Sequence, residues 1–163
     1  VISAASQVVA KCPRVRYLFV GDGLLREQLQ QQIRSAGLER NFVFAGLVPS
    51  GQVPELIGAM DVVVHASLRE GLARVLPQGL ISGKPIVSYD IDGASEVCIT
   101  DETGFLIEPR NIEQLADALI RLAADEQLRQ QFGTIGRERF TEQFRHQYMT
   151  QRLREIYRGV VEK

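Results

Sequence analysis

Five short apolar runs punctuate the chain: "RYLFVG" from Arg16 to Gly21, "NFVFAG" from Asn41 to Gly46, "DVVVHAS" from Asp61 to Ser67, "KPIVSYD" from Lys84 to Asp90, and "GFLIEP" from Gly104 to Pro109. Each is continuous rather than alternating with polar residues, the pattern of strands covered on both faces. Between them the spacing turns helical. Leu25, Leu29 and Ile33 recur every four residues, with Asp22 placed to cap that helix and Gly37 to end it in a left-handed conformation. Asn111 and Gln114 stand three apart as a capping box ahead of Leu115, Leu119 and Leu122 on one face. Alternating strands and helices predict a parallel sheet with helices on both faces, a doubly wound, Rossmann-like α/β domain.

After Ala124 the strands stop. Leu128, Phe132 and Ile135 mark a helix begun near Asp125, and Met149, Leu153, Ile156, Tyr157 and Val160 mark a last one, whose apolar stripe packs on the sheet or on something absent from the chain. No internal repeat, low-complexity tract or linker interrupts the pattern, so residues 1–163 read as one domain. The opening "VISAASQVV" lacks a Met and reads like the middle of a helix, which makes a fragment of a longer protein the expectation.

Charge narrows the partners. Lys and Arg number 19 against 20 Asp and Glu, so there is no electrostatic footprint for nucleic acid or an anionic membrane, and a bound phosphate must be held locally. Cys12 and Cys98 stand far apart with no ligand-like spacing of His or Cys around them; reduced thiols are expected rather than a metal site or a disulfide. No apolar run approaches the roughly 20 residues that span a bilayer, and no basic segment followed by an apolar one opens the chain. A cytoplasmic protein is the expectation. The arginines of the tail, Arg137, Arg139, Arg152, Arg154 and Arg158, lie among acidic residues as on a solvated face.

Parallel sheets of this kind bind ligands beyond the carboxyl ends of their strands. Four loops lie there: "GDG" at Gly21 to Gly23, "GLVPS" at Gly46 to Ser50, "SLREGLAR" at Ser67 to Arg74, and "DIDGAS" at Asp90 to Ser95. The first is half a dinucleotide fingerprint, but Arg26 takes the third glycine position and "NFVFAG" ends without an acidic residue, so a tight turn capped by Asp22 is favoured over a dinucleotide site. In the third, Gly71 lets the backbone come close, Glu70 can accept hydrogen bonds from hydroxyls, Arg74 adds charge, and a helix starting after Gly71 would offer free N–H groups to a phosphate. By spacing alone this loop is as well read as an ordinary helix entry. His65 at a strand end and Asp90 and Asp92 before a turn read first as local hydrogen-bonding residues. Glu96 reads as a helix-start carboxylate and Lys84 as a turn residue.

The segments "YLFVGDGLLREQLQ", "NFVFAGLV", "MDVVVHASLREGL", "GKPIVSYDIDGASEV", "ETGFLIEP" and "DEQLRQQFGTIGRERF" together resemble the group 1 retaining glycosyltransferases of GT-B fold, in family order and spacing over nearly the whole chain. The resemblance is to their C-terminal nucleotide-sugar domain, one half of a GT-B fold. It implies transfer of a hexosyl group from a nucleotide diphosphate sugar, with retention of anomeric configuration and no metal or other cofactor. Glu70, the catalytic candidate, would meet hydroxyls of the donor sugar. The backbone from Gly71 through Leu72, Ala73, Arg74 and Val75 would meet the diphosphate, position 78 the ribose, and Leu47 and Val48 the base, with Gly21 and Gly23 completing the substrate-binding set. The partners implied are the nucleotide sugar, a missing N-terminal domain of the same enzyme and a sugar, lipid or protein acceptor. No nucleic acid is implied, and a peripheral position at the inner membrane face is admitted only for a full-length protein.

Two departures stand out. Gln78 occupies the place of the family's second carboxylate, which keeps an acceptor oxygen but forgoes on the order of 1 kcal/mol of charge assistance. Pro77 precedes it and, inside a helix, would cost about 3 kcal/mol, so a helix beginning late, near Leu76, or kinked is expected. The family's diphosphate-clamping Arg and Lys would fall upstream of Val1, and the chain alone is expected to be inactive. The alternatives are a non-catalytic nucleotide-binding or regulatory module and a GT-B epimerase or phosphorylase. A phosphorylase should show a Lys motif for pyridoxal phosphate, which is not evident, and a redox or phospho-acceptor module should carry an acidic cluster where this chain has only Asp22.

Overall fold

The computed structural model describes residues 1–161; of the single domain expected over 1–163, residues 162–163 lie outside the described residues. Helix α1 (Ile2–Lys11) leads to β1 (Tyr17–Val20), α2 (Arg26–Ser35) and β2 (Phe42–Gly46), then α3 (Val53–Gly58), β3 (Val63–His65), α4 (Val75–Ile81), β4 (Ile86–Tyr89) and β5 (Gly104–Ile107). Three helices finish the chain, α5 (Ile112–Ala124), α6 (Glu126–Phe140) and α7 (His146–Val161). All five predicted strands form, and every pairing is parallel.

Burial explains the continuous apolar runs. All four residues of β4 are buried, because it lies between β3 and β5 and is covered on both faces. Its odd-numbered side chains, Val87 and Tyr89, enter one core with Phe105 and Ile107 of β5, Ala4, Ala5 and Val8 of α1, and Leu115 and Leu119 of α5. Ile86 faces the other way, into a core with Leu76 and Leu80 of α4, Ile57 and Phe140. The doubly wound α/β class therefore holds, with α1 and α5 on one face and α4 on the other. Close approaches lock the layers: a Cβ on Gly104 would come within 2.7 Å of the Ile86 carbonyl carbon, and one on Gly133 of α6 within 2.7 Å of that of Gly83.

Four local expectations are corrected. The strands do not form one continuous sheet; β1 pairs only with β2, and β3–β4–β5 form a separate three-stranded sheet. Asp22 does not cap α2, because the helix starts a turn later, at Arg26; the carboxylate accepts the Gly23 N–H at 2.8 Å and pairs with the Arg26 guanidinium at 2.7 Å. The Asn111 side chain caps α5 by accepting the Gln114 N–H at 3.0 Å, but Gln114 takes the Glu108 N–H rather than closing the box, since the Asn111 N–H already donates to the Glu108 carbonyl. Glu96 closes a short 3-10 turn, Asp92–Glu96, instead of opening a helix. Elsewhere the sequence reading holds. Gly37 adopts φ 67° after α2, and Asp125 caps α6 by accepting the Leu128 N–H at 2.9 Å. Helix α7 leaves its predicted stripe, from Met149 to Val160, exposed, so among the described residues that stripe does not pack on the sheet.

Candidate functional site

The four loops fall into two pairs. Gly21 donates its N–H to the Gly46 carbonyl at 2.8 Å, drawing the Gly21–Gly23 turn against the start of the Leu47–Val48 loop. Gly21 and Gly46 have φ of 130° and 70°, conformations that a side chain would strain. Arg26 spans this corner, its guanidinium on Asp22 and 5.7 Å from the centre of the Phe44 ring. The Gly23 N–H first, then Arg26, hold the Asp22 carboxyl below its usual pKa. Beyond the corner Leu47 is 82% exposed and Val48 partly buried, so an apolar side chain stands free where a planar ring could lie on it.

The second pair joins the loops after β3 and β4. Glu70 donates its backbone N–H to Asp92 Oδ2 at 3.0 Å, and Gly93 donates its own to the Gly71 carbonyl at 3.0 Å. Asp92 takes φ 44°, which turns its carboxylate back toward the neighbouring loop. The Glu70 side chain remains half exposed, with Oε1 3.7 Å from Nε2 of His65. A carboxylate beside an imidazole, both reachable by solvent, is equipped to bind polyhydroxylated ligands. From sequence Asp92 reads first as a turn residue, with acid/base pairing to Asp90 or contact with the acceptor as alternatives. The "DG" dipeptide signals the turn, but nothing local marks the residue it reaches, which lies 22 positions away.

The backbone after Gly71 is the most suggestive feature. α4 begins at Val75, with Arg74 as its cap position and no side chain capping it. Leu72, Ala73, Arg74 and Val75 donate their backbone N–H groups to no acceptor among the described residues, whereas Leu76 already bonds to Ala73 and Gln78 to Arg74. Pro77 is the third residue of α4, inside the first turn, where a missing N–H breaks no helical hydrogen bond; the helix begins late, at Val75, one residue from the expected Leu76. Pro77 is buried while Arg74 and Gln78 are exposed, so proline anchors the turn and leaves the two polar side chains free. Gly21, Gly23 and Val75 line one cavity, which connects the two pairs of loops. The other predicted residues lie outside it: Ala73 is buried, Leu72 and Val48 are partly exposed, and Leu47, Glu70, Gly71, Arg74 and Gln78 are on the surface. Among the described residues no three His, Cys, Asp or Glu side chains converge, and no helix is long and apolar enough to cross a membrane.

Known proteins share this fold. The chain is 30% identical over 144 residues to the poly(ribitol-phosphate) alpha-N-acetylglucosaminyltransferase of Staphylococcus aureus, a match covering 88% of this chain and 29% of that protein. The crystal structure of Anabaena Alr3699/HepE in complex with UDP-glucose superposes with a TM-score of 0.88 at 28% identity, covering 97% of this chain and 44% of that one. The C-terminal domain of a glycosyl transferase group 1 family protein, LpcC, from Francisella tularensis superposes with a TM-score of 0.81 at 28% identity, covering 89% and 77%. The chain spans less than half the length of the curated relatives it matches. The sequence model of the family described as Glycosyl transferases group 1 matches residues 1–139, and the chain belongs to that family.

Proposed function

We propose that this chain is the donor-binding half of an enzyme that transfers a hexosyl group from a nucleotide diphosphate sugar to an acceptor, with retention of anomeric configuration. The observation that carries the reading is the row of four unpartnered N–H groups from Leu72 to Val75, which follows Glu70 and includes Arg74, beyond the carboxyl end of β3. In the reaction the bond from the anomeric carbon to the diphosphate oxygen breaks, its electron pair stays with the diphosphate, and the acceptor oxygen bonds to the same carbon while its proton passes to the leaving phosphate. Negative charge therefore grows on the diphosphate. Preorganised N–H donors and a guanidinium placed there stabilise it more in the transition state than in the ground state, which is the condition for catalysis.

Each remaining residue has a role in this reading. Glu70, the catalytic residue of the set, accepts hydroxyls of the sugar. Gln78, one turn into α4, accepts a ribose hydroxyl through its amide oxygen. The exposed Leu47, with Val48, packs on the base, and the Gly21–Gly23 turn leaves the backbone bare beside them. The crystal structures of Alr3699/HepE contain UDP or UDP-glucose, and these support a nucleotide sugar as the ligand here. No metal is required, because cations and N–H groups of the protein carry the charge. The acceptor, a sugar, lipid or protein group, falls to a further domain of the same enzyme. The protein acts in the cytoplasm, at the inner membrane face where its acceptor demands it.

Titration of the chain with UDP, GDP and ADP, followed by amide NMR, tests the site. Shifts confined to Leu47, Val48 and Leu72 through Gln78 are expected with one of them. No shift with any at millimolar concentration would count against it. The isolated chain is expected to be inactive with nucleotide sugars, and multiple-turnover transfer would overturn that expectation.

A further inference from the structure

The loops after β3 and β4 are stitched together beyond the end of the sheet. Regular pairing of these strands stops at His65 and Ser88. Past that point the Glu70 N–H donates to Asp92 Oδ2 and the Gly93 N–H donates to the Gly71 carbonyl, each at 3.0 Å, so two bonds bracket the Glu70–Gly71 dipeptide from residues 22 positions on. Gly93 sits in contact with that dipeptide: a Cβ there would come within 3.2 Å of the Gly71 oxygen and 3.3 Å of Leu72 Cβ. The side of Gly71 is open, since a Cβ at that residue would meet nothing within 4 Å, and a ligand can approach the clamped backbone there.

The loop that supplies the clamp is anchored on the core. Asp90 donates its N–H to the Ile107 carbonyl of β5 at 2.7 Å, and Ala94 is buried in one cluster with Ala73 and Leu76. Between these anchors Asp92 takes φ 44°, a left-handed conformation that glycine adopts freely and a side chain adopts at a cost. Glycine would serve the turn at least as well as aspartate. Only the carboxylate reaches Glu70. Strain kept at a residue whose side chain holds a site residue is a pointer to function.

The Glu70 carboxylate accepts no hydrogen bond among the described residues; the side chain is half exposed, with Oε1 3.7 Å from His65 Nε2. Its reach is therefore set by where its backbone is held. A hydroxyl donating to a carboxylate lies about 2.5–2.7 Å away, so a small displacement of the acceptor decides which hydroxyls of a ring it can meet. Epimeric sugars differ in the direction of a single hydroxyl. We infer that Asp92 is a positioning residue that sets which donor sugar the site accepts, acting through Glu70 rather than by touching the ligand. The inference rests on the donor-site reading above and extends it from binding a nucleotide sugar to choosing among epimers. A site built around one hydroxyl rejects the analogue that leaves its acceptor unpaired, whereas a Glu70 released from Asp92 shifts to meet either.

Two substitutions separate this role from a structural one. Asp92→Gly removes the carboxylate and relieves the backbone; Asp92→Asn keeps an acceptor oxygen and tolerates the same φ. Affinities of the 163-residue chain are measured by amide NMR for glucose, mannose, allose and galactose, epimers at C2, C3 and C4, each carried on whichever of UDP, GDP and ADP the chain binds. The parent should prefer one sugar over at least one epimer by about tenfold or more, and Asp92→Gly should bring that ratio within about threefold. The glycine variant should melt at the parent temperature or above, and Asp92→Asn should restore the parent ratio. An unchanged ratio in Asp92→Gly, its loss in Asp92→Asn, a parent that does not discriminate, or a glycine variant that melts well below the parent would each overturn the proposal. Failure of the parent to bind any of the three nucleoside diphosphates would instead remove the donor-site reading, and this proposal with it.

Discussion

Glycine at position 133 is expected to be irreplaceable even though it lies inside a helix. Replacing a helix-interior Gly with Ala ordinarily stabilises by up to about 1 kcal/mol, because alanine restricts the unfolded chain and suits the helix. Here the added methyl would sit on the backbone of Gly83, 2.7 Å from its carbonyl carbon and nearer still to the oxygen. Neither partner can rotate away: Gly83 has φ 71° in the turn after α4, and its N–H is held by the Leu80 carbonyl at 2.8 Å. Helix α6 must therefore move off that turn, disturbing the contact of Gly136 with Leu80 as well. Overpacking of this kind costs ~1–3 kcal/mol, and set against the helix gain of up to about 1 kcal/mol the net loss for Gly133→Ala should be about 1–2 kcal/mol, a fall in Tm of about 2–8 °C for a domain of this size. Gly159→Ala in α7, where a Cβ meets nothing within 4 Å, serves as the control and should be neutral or mildly stabilising. Thermal melts followed by circular dichroism measure both. If the Gly133 variant melts at or above the parent temperature, the close packing of α6 on the Gly83 turn is wrong.

The other predictions concern the site and the titrating groups. Gln78→Glu should tighten nucleoside diphosphate binding by about fivefold, the equivalent of on the order of 1 kcal/mol of charge assistance, if position 78 faces the ribose; calorimetry showing unchanged affinity would remove that role. Asp92→Ala withdraws the acceptor of the Glu70 N–H and should weaken sugar-nucleotide binding more than binding of the nucleoside diphosphate alone; equal weakening would mean that Asp92 only holds the loop together. Burial pushes the Cys98 thiol up to about 12, from an ordinary value near 9.0. The folded protein keeps its proton while the unfolded chain loses it, so stability present below pH 9 should decline as pH rises toward 12, and Cys98→Ala should flatten that limb in denaturant titrations. For the same reason Cys12, partly exposed, should react with a disulfide reagent well before Cys98 in the native protein.

Local signals carried the elements, the fold class and the positions of the loops. Continuous apolar runs specify strands buried on both faces because no water-facing side needs polar residues, and β4 bears this out in all four of its positions. Caps at Asn111 and Asp125 were legible because each uses an N–H three residues away. The site loop was legible too, since Glu70, Gly71 and Arg74 are neighbours in sequence. What was not legible depends on distance along the chain. The backbone N–H of Glu70 is fixed by donating to Asp92, and the collision that forbids a side chain at residue 133 comes from Gly83; neither leaves a trace in local composition. Pro77 looks disruptive until the structure sets it in the first turn, where its missing N–H has no helical partner to lose. The sequence by itself determined which segments become strands and helices and which loops gather at their carboxyl ends, because propensity and periodicity act over a few residues. Only the tertiary structure decided that the strands stand in two sheets with a cavity between them, because hydrogen bonding between strands joins residues that the sequence keeps far apart.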